Sequence, residues 1–293
     1  MGKESSYEKI SATAWGVAYR RTFSDIKYAK EIFDELDKAV NINDPVELDY
    51  MESIKKSKIS PQFEARYKLI SRLLENNKTN QILELASGLS PRGLAMAEAN
   101  PSLQYVELEL PAMAEQKRKI LQNLFLQQKA NPRKNLRIKN GDALKIDSLL
   151  SATSDFKNEP ISVINEGLLR YLDTNQKTTV AKNIHLLLEK FGGAWITSDI
   201  SLEKLTSYAK ERAAARKRIL TLSGINVKAN SFKNEESARK FFEDLGFSVE
   251  RHGFFEIADK LVSPKKLGLS PEEIKDMLKS AVVFVMKIRP KVQ

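Results

Sequence analysis

The chain has 293 residues, 42% of them apolar and 29% charged, a balance that supports a full core in one or two domains and excludes a disordered chain. It has no cysteine and only two histidines, His185 and His252, which excludes disulfides, thiol nucleophiles and cysteine-held metals, and no metal site is expected. The net charge of +10 favours an anionic partner, but the bases are interleaved with acids, as in Lys210-Glu211-Arg212, and no aromatic-interleaved basic motif accompanies them, so nucleic acid is disfavoured.

The first eighty residues read as helices. Asp25 to Val40 carries Ile26, Ala29, Ile32, Phe33 and Leu36 at helical spacing, and Pro61 to Leu74 follows Ser60 as its expected cap. The period then changes. Gln81 to Ala86 is a short apolar run ended by Ser87-Gly88 and reads as a buried parallel strand. Ser90-Pro91 opens a helix, Leu103 to Leu110 is a second strand, and Pro111 starts a helix reaching about Gln128. Asn135 to Ile138 and Ile161 to Ile164 are further strands. Asp173 to Phe191 is a long amphipathic helix stopped by Gly192-Gly193, and Ala194 to Thr197 is a fifth strand. Phe247 to Glu250 and Val282 to Val285 complete the set as an antiparallel pair at one edge.

Alternating strands and helices predict an α/β fold, a doubly wound, mostly parallel seven-stranded sheet with an antiparallel edge strand. Residues 1–293 are expected to form one domain, with 1–78 as a helical lid and 201–231 as an inserted cap element. The basic helix of that insertion, with Arg212, Arg216 and Arg218, points either to an anionic acceptor or to a solvated face. No stretch approaches the roughly 20 apolar residues of a membrane span. The polar N-terminus does not read as a secretory signal, so a cytoplasmic location with no membrane partner is expected.

In such sheets ligands bind beyond the carboxyl ends of the strands. Four of these ends carry suggestive residues. The first is Glu84-Leu85-Ala86-Ser87-Gly88-Leu89-Ser90-Pro91-Arg92, a small-residue turn that is neither a dinucleotide fingerprint nor a phosphate loop. Its upstream acid suits a cationic ligand. The second is Glu109, favoured over Glu107, whose carboxylate can accept from both hydroxyls of a ribose. The third is Gly141-Asp142-Ala143, where an aspartate can accept from an adenine amino group and the next amide can donate to a ring nitrogen; a plain Gly-Asp turn is the alternative. The fourth is Glu166, placed straight after buried strand residues. Together they fit a nucleoside with a cationic amino-acid tail, S-adenosylmethionine.

Several motifs strengthen this reading. They are Ser11-Ala12-Thr13-Ala14 with Arg20-Arg21, Ala65-Arg66, the E-L-x-x-G-L-x-x-R form from Glu84 to Arg92, Tyr105 to Pro111, Gly141-Asp142, and Glu166-Gly167-Leu168-Leu169-Arg170-Tyr171-Leu172. With them the chain resembles class I, Rossmann-like methyltransferases of the leucine carboxyl methyltransferase group, near its TcmP-like O-methyltransferase branch. The resemblance implies S-adenosylmethionine as cofactor. It also implies that Arg66 pairs with the cofactor carboxylate, that Gly88 underlies the methionine moiety and that Glu109 binds the ribose hydroxyls, with Glu84, Ala86 and Leu110 also cofactor-binding. Asp142 and Ala143 would hold the adenine, and Glu166 would face the amino-acid end. The chain departs from that group in having Ala86-Ser87 where a second glycine is usual and Glu109 where aspartate is usual.

The expected reaction is O-methyl transfer to a carboxyl or hydroxyl group of a small molecule or peptide. The alternatives are an RNA methyltransferase with the same cofactor and an NAD-dependent oxidoreductase. Tyr171 is a candidate for acceptor contact. His252 follows the sixth strand and is a base candidate only if it reaches the cleft. No catalytic residue is assigned, and oligomeric state is not readable.

Overall fold

The computed structural model describes residues 11–39, 45–203 and 209–290. Four helices come first: α1 (Ser11–Arg21), α2 (Ala29–Ala39), α3 (Pro45–Lys56) and α4 (Ser60–Asn77). The α/β unit follows as β1 (Gln81–Leu85), α5 (Arg92–Ala99), β2 (Gln104–Glu109), α6 (Pro111–Leu126), β3 (Leu136–Asn140), α7 (Ile146–Ala152) and β4 (Ile161–Asn165). A 3-10 turn (Leu169–Tyr171), α8 (Thr174–Phe191) and β5 (Gly193–Thr197) lead to α9 (Ala209–Ser223), α10 (Glu235–Asp244) and β6 (Phe247–Gly253). The chain ends through a second 3-10 segment (Phe254–Lys260), the one-turn α11 (Ser263–Lys266), α12 (Pro271–Leu278) and β7 (Val282–Ile288).

The seven strands lie in the order β3-β2-β1-β4-β5-β7-β6. The pairs from β3 to β5 are parallel, and β7 runs antiparallel to both of its neighbours. The reversed strand is therefore β7, one position in from the edge. Strand order switches between β1 and β4, so their carboxyl ends open a crevice.

Side-chain alternation explains the layers. Leu83, Leu85, Val106, Leu108, Val163, Trp195 and Phe284 point to one core beneath α8 and α10. Ile82, Tyr105, Ile164, Ile196, Val283 and Val285 point to the other, beneath α4. Each fully buried aliphatic side chain contributes about 1.5–3 kcal/mol, so the register is strongly specified. Capping sets the start of α8: the Asp173 side chain accepts from the Gln176 amide and the Gln176 side chain closes a capping box.

Two sequence-based boundaries shift. Residues 25–28 form a turn, because Tyr28 has a left-handed φ of 65°, and α2 starts only after it. Ser60 is inside the first turn of α4 and caps nothing: Ile59 holds the cap position without a side-chain bond.

Candidate functional site

The carboxyl ends of β1, β2, β3, β4 and β5 surround one cavity of about 1090 Å³. Typical ligand pockets span about 300–1,000 Å³, which puts this one at the top of that range. Residues from α1, α3 and α4 close one side of it, and Leu202, Arg216 and Ile219 of the 201–231 segment close another.

The β1–α5 turn sets the floor. Ala86 takes φ +51°, and Gly88 takes φ +52°. A left-handed φ costs an alanine about 1–2 kcal/mol, which gives a physical reason for glycine to be usual where this chain has Ala86. The turn is fixed because the Ala86 amide donates to the Leu108 carbonyl at 2.9 Å. The Gly88 amide donates to Glu109 Oε1, and the Leu110 amide donates to Glu109 Oε2 at 3.2 Å. Burial pushes the Glu109 carboxyl up to about 7, against the lowering effect of the Gly88 amide. Two bonds leave half of its roughly four acceptor positions open to the cavity. Glu107 has a different fate: it pairs with Lys117 at 2.5 Å below the cavity and accepts from Ser87.

At the end of β3, Gly141 permits a close approach. A Cβ there would lie 2.5 Å from Leu108 Cδ1 and 2.9 Å from Ser148 Cβ. Asp142 follows and accepts from the Leu144 amide at 2.9 Å, while Ala143 and Leu144 line the wall. The turn and the wall position are thus both present at this residue.

The end of β4 is a charge hub. Glu166 Oε1 accepts from Arg21 and from Arg66 (Nε at 2.9 Å), and Oε2 accepts from Arg92 Nη2 at 2.7 Å. Arg92 is fully buried and bridges across the switch point, donating through Nη1 to Glu84 at 2.7 Å while its guanidinium lies over the Tyr67 ring at 4.4 Å. Burial would raise the Glu166 carboxyl, but Arg66, Arg21 and Arg92 outweigh it and hold the group well below the usual carboxylate range. Three guanidiniums facing the two carboxylates Glu84 and Glu166 leave one net positive charge. That field suits a ligand carboxylate and opposes an ammonium.

Asp199, just past β5, organises the same loop. It accepts from the amides of Gly167 (2.7 Å), Leu168 (2.6 Å) and Leu169 (2.9 Å) and from Asn165 Nδ2 (2.6 Å). Asn165 in turn accepts from Trp195 Nε1 at 2.7 Å in the core. This collar fixes the 3-10 turn that presents Arg170 and Tyr171 to the cavity.

Of the residues singled out from the sequence, Arg66, Ala86, Gly88, Glu109, Leu110, Asp142, Ala143, Glu166 and Tyr171 line this cavity. Glu84 does not: it is buried under the turn, held by Arg92 and by Tyr105 Oη at 2.6 Å. Glu166 lines the cavity, but its oxygens are taken by three arginines, so it gathers cations and offers no free charge to an ammonium. His252 sits between Glu250 (3.1 Å) and Glu256 (3.2 Å) and is not among the lining residues. Asp199 and the bridging role of Arg92 are additions. Their signal was a charge next to a buried apolar run, Asp199 after β5 and Glu84 within β1. Among the described residues no acid–histidine cluster could hold a metal, and no helix is long and apolar enough to cross a membrane.

Solved structures similar to this chain include a putative O-methyltransferase from Nostoc punctiforme, 16% identical with a TM-score of 0.49, where the match covers 92% of this chain and 72% of that one. An O-methyltransferase family protein from Burkholderia thailandensis is 10% identical with a TM-score of 0.46, covering 80% of this chain and 60% of that one. PigF with SAH is 17% identical with a TM-score of 0.43, covering 71% of this chain and 56% of that one. The chain thus spans well under two thirds of the length of the last two. No curated protein matches it. The sequence profile of the leucine carboxyl methyltransferase family matches residues 15–185, more than half of the chain, from within α1 to within α8, and includes every residue of the arginine–glutamate hub. This chain belongs to the leucine carboxyl methyltransferase family.

Proposed function

We propose that the protein transfers a methyl group from S-adenosylmethionine to a carboxyl or hydroxyl oxygen of a small molecule or peptide. The observation that carries this reading is the convergence of Glu109, Asp142 and the Arg66–Glu166 hub on one cavity. The donor set fits the cofactor. Glu109 keeps acceptor capacity for a ribose diol, and Asp142 with the Ala143 amide suits an adenine edge. Arg66 bonds Glu166 through Nε and Nη2 and has no bond from Nη1 among the described residues, which suits the cofactor carboxylate. Gly88 keeps the turn low beneath the methionine part, and Leu110 flanks the ribose.

When bound, the cofactor supplies a methyl group already activated by its sulfonium. The chain's own task is then to hold the acceptor oxygen in line and to exclude water. No histidine is among the residues lining the cavity, so positioning is the main device, and Tyr171 is placed for acceptor contact. A carboxylate acceptor needs no base at neutral pH, whereas a hydroxyl gains from one. The helices of 1–78 and the 201–231 segment act as the acceptor cap of a single methyltransferase domain.

The test is transfer of labelled methyl to a panel of carboxylic acids and phenols. A base-labile product that releases methanol marks a carboxyl ester, and a base-stable one marks an ether. Label on neither class, with the cofactor bound, overturns the O-methyl assignment.

A further inference from the structure

A second group of arginines faces the same cavity, and no carboxylate among the described residues is paired with it. Arg20, at the end of α1, is 6% exposed and lines the cavity. Its guanidinium lies over the Phe63 ring at 4.9 Å, its Nη1 donates weakly to the Gly16 carbonyl at 3.4 Å, and its buried Nε has no partner. Arg170, on the turn pinned by Asp199, has a buried Nε without a partner and sits near the Tyr171 ring at 5.8 Å. Among the described residues, Arg216, from α9, donates only to the backbone carbonyls of Leu202 (2.5 Å) and Glu203 (3.2 Å). None of the three forms an ion pair among the described residues, and all three line the cavity.

Burial holds the Tyr50 phenol up and therefore uncharged beside Arg20, to which its side chain is hydrogen-bonded. The nearest charges are cationic: Arg170 acts on both Arg20 and Arg216, and Arg66 shares the Phe63 ring with Arg20. Of the acids in the cavity, Glu166 is saturated by the other arginine set and Asp199 by four donors. Gathering three guanidiniums at one wall, Arg20 buried and Arg170 and Arg216 half-buried, is costly without a counter-charge, and an anion is the ligand that relieves it.

We propose that Arg20, Arg170 and Arg216 form an anchoring subsite for an oxyanion of the acceptor, a carboxylate or phosphate distinct from the oxygen that receives the methyl group. An oxyanion clamped by this trio has its lone pairs occupied and its charge neutralised, which makes it a poor nucleophile. The reacting oxygen is then a second group on the same molecule. Phe63, Tyr50 and Tyr171 around the trio suit a flat, ring-bearing body between the two groups. Arg216 brings α9 into recognition of the acceptor.

The subsite rests on the methyltransferase reading, and its test keeps the two apart. The protein is saturated with S-adenosylhomocysteine and titrated by calorimetry at low ionic strength with inorganic phosphate, with benzoate, and with benzamide as the neutral control. Saturable binding of phosphate or benzoate, and none of benzamide, is expected. Arg170→Gln and Arg216→Gln should each weaken that binding by about tenfold or more, with S-adenosylhomocysteine affinity unchanged within twofold. The tighter of the two anions names the oxyanion class. Anion affinity unchanged in both variants, no saturable binding of either anion, or an anion that displaces S-adenosylhomocysteine would overturn the subsite. Failure of the wild-type protein to bind S-adenosylhomocysteine would instead count against the cofactor reading, and the same anion titrations without it would still decide the trio.

Discussion

The cavity holds two arginine sets that do opposite work. Arg21, Arg66 and Arg92 converge on Glu166, with Glu84 behind them, and tie α1, α4, α5, β1 and β4 together. Arg20, Arg170 and Arg216 form no ion pair among the described residues, so within those residues they tie nothing together through charge. A charge that is paired and buried belongs to the fold as much as to the site. A charge left unpaired at a cavity wall is carried for a ligand.

The largest expected effect comes from breaking the paired set. Glu166→Gln leaves three clustered guanidiniums without their shared counter-charge and should destabilise the protein by about 3–5 kcal/mol, read by urea denaturation. Arg170→Gln should lie within about 0.5 kcal/mol of wild type or above it, since it removes a repelling cation. Equal losses in both variants would erase the distinction between the sets.

Next comes Glu109→Gln, which keeps one acceptor oxygen but loses the charge. S-adenosylhomocysteine affinity should fall by about ten- to a hundredfold, the worth of charged hydrogen bonds of roughly 1.5–3 kcal/mol, with stability maintained or improved. The same residue sets a pH dependence. Its folded value of about 7 lies above the ordinary 4.5, so the folded state keeps a proton that the unfolded chain releases. Its contribution to stability is present at acid pH and is lost as pH rises from about 4.5 to 7. Ribose hydroxyls donate to the ionised form, so cofactor affinity should rise with pH through about 7 and flatten above it. A flat profile, or one retained in Glu109→Gln, would remove Glu109 from the ribose position.

The smallest effect is at the turn. Ala86→Gly relieves a left-handed alanine but loosens the unfolded chain, so the net gain should be no more than about 1 kcal/mol in thermal unfolding.

The strands and their order of appearance were legible because buried parallel strands read as short apolar runs, as at Ile82 to Leu85 and Ile161 to Ile164. Glu109 and Asp142 were legible for the same reason, being polar groups set where such runs end. Three features were not. The Arg92 bridge needs β1 and β4 to be neighbours, which is a property of strand order and not of local sequence. Glu166 reads as a free acid until Arg21 and Arg66 arrive from helices more than ninety residues earlier in the chain. The basic helix of the insertion was ambiguous. Arg216 turns into the cavity and Arg218 pairs outside it with Asp49 at 3.2 Å, while the side chain of Arg212 lies outside the described residues. His252 shows the converse, since its place after a late strand suggested the cleft, yet β6 is the far edge of the sheet.

On the proposed reading, the strand ends from β1 to β4 form one cofactor site, with the unpaired arginines outside it. Calorimetric titration of S-adenosylhomocysteine into wild type, Glu109→Gln and Arg170→Gln tests this most directly. The predicted result is one saturable site in wild type, weakened at least tenfold in Glu109→Gln and unchanged in Arg170→Gln. Equal affinity in all three proteins, or no binding by the wild type at millimolar ligand, would contradict it.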